Sequence, residues 1–454
     1  MAAQIGENKM GVMPVKRLLV TMALPMMASM LVQALYNVVD SLFVSRISEE
    51  ALTAVTYAMP LQNLMIAVGA GTGVGVNAML SKALGEKNKT YIDRAANTSI
   101  LLTIFNAAIF LLVGLFGARA FIVTQTKVAA TAAYGTQYLQ IVMCLSAGLL
   151  FQIMFERLLQ STGRTVLSMI SQMTGALINI ILDPIMIFGL FGFPRLEVAG
   201  AAIATVIGQC VAALVGLTFN LKKNPEITFS FRKIFRFHWK TIRTIYIVGF
   251  PTILMMAIGS VMTYLMNLIL SVFSETAVAV FGVYFKIQSF FFMPVFGLNN
   301  GLVPILAYNY GARKKARINE ALRFAILLAI GIMAVGTLIL CLFPEAILGL
   351  FGASEEMYRI GVPALRIISL HFPLAAVAIV MGSIFQAFSQ SIYSLIVSVL
   401  RQLGVLIPAA YLLSLLGNVI YVWWAFPIAE VVSVIISILF FRKVYNKIVA
   451  PMPD

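Results

Sequence analysis

The chain has 454 residues, of which 61% are hydrophobic and only 11% charged, and its net charge is +15 at pH 7. So few charges could not solvate the surface of a soluble protein of this size, which excludes a soluble globular domain. The basic excess does not indicate nucleic-acid binding, because the Lys and Arg residues lie between long apolar runs and therefore report membrane topology.

Apolar runs long enough to cross a bilayer core recur along the whole chain. Twelve spans are expected at 18–45, 53–80, 96–117, 131–156, 165–191, 199–221, 244–272, 277–306, 321–344, 358–386, 392–416 and 420–441. Of the 32 Lys and Arg residues, 24 fall on the side of the termini, 5 on the opposite side and 3 within spans. The positive-inside rule then predicts a multi-pass protein of the inner or plasma membrane with both termini in the cytoplasm.

The two halves of the chain repeat. A shift of 226 residues aligns them without a gap, so that Pro25 meets Pro251 and Gly75 meets Gly301. We interpret this as an internal duplication, which predicts an all-α membrane protein with twelve transmembrane helices in two homologous six-helix bundles around a central cavity. The expected domains are an amino-terminal lobe, a cytoplasmic linker and a carboxy-terminal lobe at 1–221, 222–243 and 244–454.

Carboxylates inside a membrane need an explanation, since each costs at least ~2.5–3.5 kcal/mol. Of the 17 acidic residues, only four lie within the expected spans: Asp40, Glu156, Asp183 and Glu430. In span 1, Gln33, Asn37 and Asp40 follow at i, i+4 and i+7 and share one helix face, which Tyr36 borders.

Span 5 repeats this pattern with Asn179 and Asp183 at i, i+4, at a depth similar to that of Asp40. Pro184 follows directly and frees the carbonyl of Ile180. Two carboxylates, an amide and a freed carbonyl form an oxygen site suited to Na+. Alternatively, two close acids in a low dielectric would hold a proton between them, or each would merely hydrogen-bond a neighbouring span.

The other two acids have simpler candidate partners. Glu156 shares a polar face with Gln152 and Gln160 and lies beside Arg157, so we expect it either to snorkel or form an ion pair, or to contact a substrate. Glu430 is expected to form a buried ion pair with a basic residue of its own lobe, for which the candidates are Arg401 and Arg366.

No sequence signal points to nucleotide hydrolysis. Glycine-rich runs lie inside spans, but none precedes the Lys-Ser/Thr pair of a phosphate-binding loop. Transport would therefore be driven by an ion gradient, without a cofactor. The 24 Met and 32 Phe residues include candidates for lining a deformable cavity for flat aromatic cations.

The pattern resembles the multidrug and toxic compound extrusion (MATE) family, in its DinF-like and MepA-like branches. The resemblance rests on Pro25 to Asp40, Phe155 to Gly163, Asn179 to Pro184, Arg401-Gln402 and Pro427 to Glu430. It implies export of cationic drugs or dyes in exchange for Na+ or H+, and hence a role in antibiotic resistance. It also implies a cation-coupling site at Asp40, Asn179, Asp183 and Thr205, the first three serving as metal ligands if Na+ is the ion. The remaining polar residues Gln33, Tyr36, Asn37 and Glu156 are then expected to border a substrate cavity.

One departure is that the span 7 acid of the NorM-like branch is missing, because Ala257 to Ser260 stand in its place. Ion coupling by the amino-terminal lobe is therefore expected.

Two alternative functions remain. One is a flippase for a lipid-linked anion, for which only Lys286, Arg366 and Arg401 are available within spans. The other is an integral membrane enzyme, for which no clustered catalytic groups are visible. The partners expected are small molecules and the bilayer, without nucleic acid, and the protein is expected to be a monomer.

Overall fold

A computed structural model describes residues 8–453, and every regular element in that range is helical. Helices are the expected solution in lipid, where each backbone polar group must be satisfied within its own segment. The first half contains α1 (Lys9–Val12), α2 (Val15–Ser45), α3 (Glu49–Gly85), α4 (Lys89–Leu112), α5 (Ala118–Gln125), α6 (Ala129–Cys144), α7 (Ala147–Ser161), α8 (Thr165–Phe188), α9 (Glu197–Lys223) and α10 (Phe231–Ile234).

The second half contains α11 (Trp239–Ser271), α12 (Glu275–Gly311), α13 (Lys315–Leu342), α14 (Pro344–Gly349), α15 (Glu355–Ser369), α16 (Phe372–Ala387), α17 (Ser391–Val399), α18 (Ile407–Ser414), α19 (Val419–Val422) and α20 (Ala425–Val444). Short π-helical turns follow α4, α17 and α20 at Val113–Gly117, Leu400–Leu406 and Tyr445–Val449.

These helices supply the twelve spans expected from the sequence. Within residues 8–453, ten helical segments are long and apolar enough to cross a membrane, and two bent pairs complete the set. Helices α6 and α7 meet at 46°, and α15 and α16 meet at 45°. The prediction of an all-α membrane protein with twelve spans is confirmed.

The duplication is visible in the backbone. Helices α3 and α12 both have 37 residues and begin 226 residues apart. Ser48 and Ser274 cap them in the same way, each accepting a hydrogen bond of 3.1 Å from the amide three residues on. Lys87 and Arg313, also 226 residues apart, both adopt left-handed backbone with φ of 53° and 54°. The repeat therefore extends from sequence to local geometry.

Contacts divide the chain into two compact units. The first unit contains Ala28–Ile253 together with the described residues before Met10, and the second contains Met10–Met27 and the residues from Leu254 onward. This division differs from the expected domains 1–221 and 244–454 at the start of α2 and of α11. The amino-terminal part of α2 belongs to the second unit, and the amino-terminal part of α11 belongs to the first unit.

Small residues explain this assignment. Within the first unit, a Cβ added at Gly75 of α3 would overlap the carbonyl of Ile245 in α11. Within the second unit, a Cβ at Gly301 of α12 would lie 2.8 Å from the Cα of Ala23 in α2. Glycine at these two repeat-related positions lets the backbones of neighbouring helices approach closely, which is a common way of packing helices in lipid.

We expect Gly75→Ala to destabilise the protein by about 1–3 kcal/mol, because the added methyl group has no space. Gly282→Ala in α12 is the matched control, since nothing lies within 4 Å of a Cβ built there. Thermal unfolding of the purified variants in detergent measures both. Equal stability of the two variants would contradict the packing described here.

Candidate functional site

Helices α2 and α8 bring Asp40 and Asp183 together within the first unit. Asp40 and Asp183 each lie five residues before the end of their helix, and their carboxyl groups face each other at hydrogen-bonding range. Asp183 is completely buried and Asp40 is half-buried. Since α2 and α8 are separate spans, only the fold creates this pair.

The pair belongs to a chain of polar contacts that closes back on α2. Asn179 Nδ2 donates to Asp183 Oδ1 at 3.3 Å and to Thr205 Oγ1 of α9 at 3.2 Å. The Thr205 hydroxyl also lies near the hydroxyl of Tyr36, one turn before Asp40 on α2. Three helices thus hold the two carboxyl groups in place.

Several oxygen atoms in this cluster accept no hydrogen bond from residues 8–453. Asp40 Oδ1, Asn179 Oδ1 and Asp183 Oδ2 are buried and accept no hydrogen bond from any described residue. Neither aspartate forms an ion pair within residues 8–453. Two charged carboxylates at this range repel each other strongly in a low dielectric, so the arrangement favours a proton shared by the pair or a small cation.

Oxygen is also the ligand type that hard cations take. The unpaired oxygens of Asp40, Asn179 and Asp183, with the hydroxyl of Thr205 beside them, therefore suit Na+ as well as H+ in chemical type.

Two further residues of this region were missed by the sequence analysis. Tyr138 of α6 is buried and interacts electrostatically with Asp40 and Asp183. Its hydroxyl donates a hydrogen bond to Gln62 of α3 at 3.5 Å. A signal was available for Gln62, because the repeat aligns it with another glutamine, Gln288.

The expected substrate-cavity residues separate in the structure. Gln33 accepts a hydrogen bond of 3.1 Å from Gln172 of α8, so it supports the same pair of helices as Asp40. Asn37 has an exposed side chain that makes no hydrogen bond to the cluster. Glu156 lies elsewhere on α7, is 8% exposed and accepts a 3.0 Å hydrogen bond from Gln152, which confirms their shared polar face.

The second unit contains a cavity of about 450 Å³. Its walls are mainly aromatic and thioether side chains, interrupted by a few polar groups. The residues that line it are Met256, Gly259, Ser260, Met262, Thr263, Phe285, Gln288, Ser289, Phe292, Met293, Phe296, His371, Ile379, Arg401, Gln402, Leu406, Phe426, Ala429 and Glu430.

Three ionisable side chains, Glu430, Arg401 and His371, form a cluster in the wall of this cavity. Glu430 Oε2 lies 3.5 Å from a guanidinium nitrogen of Arg401 and 3.5 Å from Nδ1 of His371. His371 lies at the bend between α15 and α16, and its Nε2 is hydrogen-bonded to the Tyr284 hydroxyl at 3.0 Å. Arg401 is therefore the partner expected for Glu430. The other candidate was wrong: Arg366 is exposed and donates to the carbonyl of Cys341 at 3.2 Å.

Glu430→Gln should destabilise the protein by about 2–3 kcal/mol, because it leaves the positive charge of Arg401 without a counter-charge. The Arg401 side chain is 30% exposed, so solvent screens part of this cost. Adding Arg401→Gln to the same chain should restore part of the loss. Thermal unfolding of the wild type, both single variants and the double variant measures the coupling, and strictly additive losses would argue against a direct pair.

Known proteins resemble this chain over almost its whole length. A family model described as MatE matches the chain twice, at residues 25–185 and 251–412, which are the two repeats. The multidrug export protein MepA of Staphylococcus haemolyticus is 25% identical over 431 residues, covering 94% of this chain and 93% of the relative. MepA of Staphylococcus aureus strain N315 is 25% identical over 428 residues, with the same coverage.

Solved structures share the fold over almost the whole chain. A multidrug resistance MATE transporter of the MOP superfamily in an outward-facing conformation superposes with a TM-score of 0.92. It is 24% identical, covering 98% of this chain and 99% of the other. A MOP superfamily transporter from Pyrococcus furiosus, described as having a binding pocket of reversed polarity, gives 0.91 at 24% identity with the same coverage.

Proposed function

Because the chain belongs to the MatE family of membrane transporters, with MepA multidrug exporters among its relatives, we propose that it exports amphipathic organic cations in exchange for H+ or Na+. The observation that carries this proposal is the buried pair of Asp40 and Asp183, which has no cationic partner within the described residues. Members of the family are transporters rather than enzymes, and none needs a cofactor.

The ion and the substrate would be coupled through the charge of this pair. A proton or Na+ arriving from outside neutralises the carboxyl groups, and the form of the protein with a neutral pair binds a cationic substrate less well. Reciprocity of linked binding then requires that substrate binding lowers the affinity for the ion, which is the basis of antiport by alternating access.

The proposed topology is consistent with this direction. With both termini in the cytoplasm, the ends of α2 and α8 that carry Asp40 and Asp183 face outward, towards the side from which H+ or Na+ enters a cell. Tyr36 and Thr205 would act as positioning residues, since their hydroxyl contact holds α2 against α9 beside the carboxyl pair.

The cavity of the second unit supports the choice of amphipathic substrates. Four phenylalanines and three methionines give it an apolar and adaptable surface, and Glu430 adds one carboxylate. Aromatic faces attract cations, and Met side chains adjust to ligands of different shape. We propose that this cavity contacts the substrate. Within the first unit, Glu156 and its hydrogen-bond partner Gln152 are proposed separately as a substrate contact.

Export is favoured over transfer of a lipid-linked anion. Of the three basic residues within spans, Arg401 alone lines the cavity, and Glu430 opposes its charge. Arg366 and Lys286 are exposed and do not line it. A cavity with one neutralised cation is a poor match for a phosphorylated ligand.

Asp183→Asn and Asp40→Asn should each reduce dye export at least tenfold, because either change removes the charge that an ion must neutralise. The assay is dye transport by purified protein in liposomes, with a pH gradient and a Na+ gradient imposed separately. The gradient that drives the wild type identifies the coupling ion.

Glu356→Gln is the matched control for these variants, since Glu356 is an exposed acid paired with Arg359 and should leave transport unchanged. Transport by Asp183→Asn at the wild-type rate, or wild-type transport that needs neither gradient, would refute the proposed coupling.

Phe296→Ala should weaken the apparent affinity for planar aromatic cations roughly threefold to thirtyfold, the range of a cation–π contact away from water. Phe290 is the matched control: it lies on the same helix α12 and is 46% exposed against 42% for Phe296, but it does not line the cavity. Concentration dependence of dye transport measures both variants. Equal effects of the two substitutions would exclude the cavity as a substrate contact.

A further inference from the structure

The segment that joins α9 to α11 follows a fixed path along the end of α4. The amide of Thr228 donates to Asp93 Oδ1 at 3.2 Å, and the amide of Ser230 donates to Asn97 Oδ1 at 3.0 Å. Asn97 Nδ2 returns a 2.9 Å hydrogen bond to the Thr228 carbonyl. The segment is therefore an ordered part of the surface of the first unit, held against α4 by hydrogen bonds.

This segment exposes large aromatic side chains, which is unusual for a polar connection. The exposed fractions of Phe231, Phe235, Phe237 and Trp239 are 80%, 56%, 66% and 66%. Their rings lie in two neighbouring pairs, with centroids 5.1 Å and 6.3 Å apart. Amphipathic aromatic side chains concentrate where lipid headgroups meet the hydrocarbon core.

The same segment presents positive charge that the protein itself does not neutralise. Arg94 on α4, and Arg232, Arg236 and Lys240 on the segment, are exposed and form no ion pair within residues 8–453. Burial and the nearby charges of Arg94 and Arg236 lower the pKa of His238. Arg94 also lies on the turn of α4 whose Asp93 accepts the hydrogen bond from the segment.

The neighbouring acids are already engaged. Asp93 pairs with Lys89 at 3.1 Å and with Lys233 at 3.5 Å. Glu226 pairs with Arg164 at 2.9 Å and also accepts a hydrogen bond from Asn8. The remaining positive charge is complementary to an anion supplied from outside the protein.

We propose that the segment from Ser230 to Lys240, together with Arg94, is a binding site for the headgroup of an anionic phospholipid. Arg94 and Arg236 contact the phosphate groups, and the exposed rings of Phe237 and Trp239 enter the boundary between headgroups and acyl chains. Basic and aromatic side chains combined in this way are typical of elements that lie in the membrane surface. The proposed orientation of the termini assigns the site to the cytoplasmic leaflet.

The chain offers an internal probe, because Trp239 lies inside the proposed site. With Trp423 and Trp424 replaced by Phe, Trp239 is the one remaining tryptophan of the sequence. The full-length protein is placed in phosphatidylcholine nanodiscs with a small fraction of brominated phosphatidylglycerol or, separately, of brominated phosphatidylcholine. We expect stronger quenching of Trp239 by the brominated phosphatidylglycerol at equal mole fraction.

Arg94→Gln with Arg236→Gln should reduce this preference roughly fivefold to twenty-five-fold, since each basic residue near the surface contributes up to about fivefold. Arg442→Gln with Lys447→Gln is the matched control, with the same charge change at two exposed positions near the carboxy-terminal end of the last span, and should keep the preference. Native mass spectrometry of lipid-bound protein repeats the comparison with both tryptophans intact.

Equal quenching by the two lipids, or a preference unchanged in the Arg94/Arg236 variant, would overturn the proposal. Loss of the preference in excess inorganic phosphate would overturn it as well, because the site would then hold a free anion rather than a lipid. No transport is measured, so these outcomes are independent of the proposed export function.

Discussion

The repulsion between two buried carboxyl groups is the interaction on which the functional interpretation depends. Asp40 and Asp183 are held at hydrogen-bonding range by three helices, and no described basic residue compensates them. Most buried acids in membrane proteins are paired with a cation or a donor, because the surrounding medium solvates charge poorly. Here no described residue supplies the counter-charge, and this is why we propose that an ion from solution provides it.

The two repeats have kept the same scaffold while their polar groups have diverged. The repeat places Met266 opposite Asp40 and Ala409 opposite Asp183, so the second unit has no equivalent of the carboxyl pair. Its own buried acid, Glu430, lies against Arg401 and His371. One unit thus contains an acid pair without a basic partner among the described residues, and the other contains an acid paired with Arg401 beside an apolar cavity.

Helix packing by small residues makes this arrangement possible. Gly75 and Gly301 occupy the same position in the two repeats, and each leaves room for the backbone of a neighbouring helix. Larger residues there would push the helices apart, because the interior of the bundle has little free volume. In the first unit, Gly175 and Gly208 likewise bring α8 against α9, which places Asn179 within 3.2 Å of Thr205.

The sequence by itself determined the features that depend on local periodicity. Apolar length defined the twelve spans, the 226-residue repeat defined the duplication, and i, i+4 spacing put Asn179 and Asp183 on one face. The tertiary structure alone decided which faces meet: it closed the polar chain through Thr205 and Tyr36, left Asn37 exposed, and chose Arg401 and His371 as the partners of Glu430. It also assigned the first parts of α2 and α11 to the opposite units. The physical reason is that helical spacing fixes neighbours within a helix, whereas contacts between helices depend on how distant segments pack.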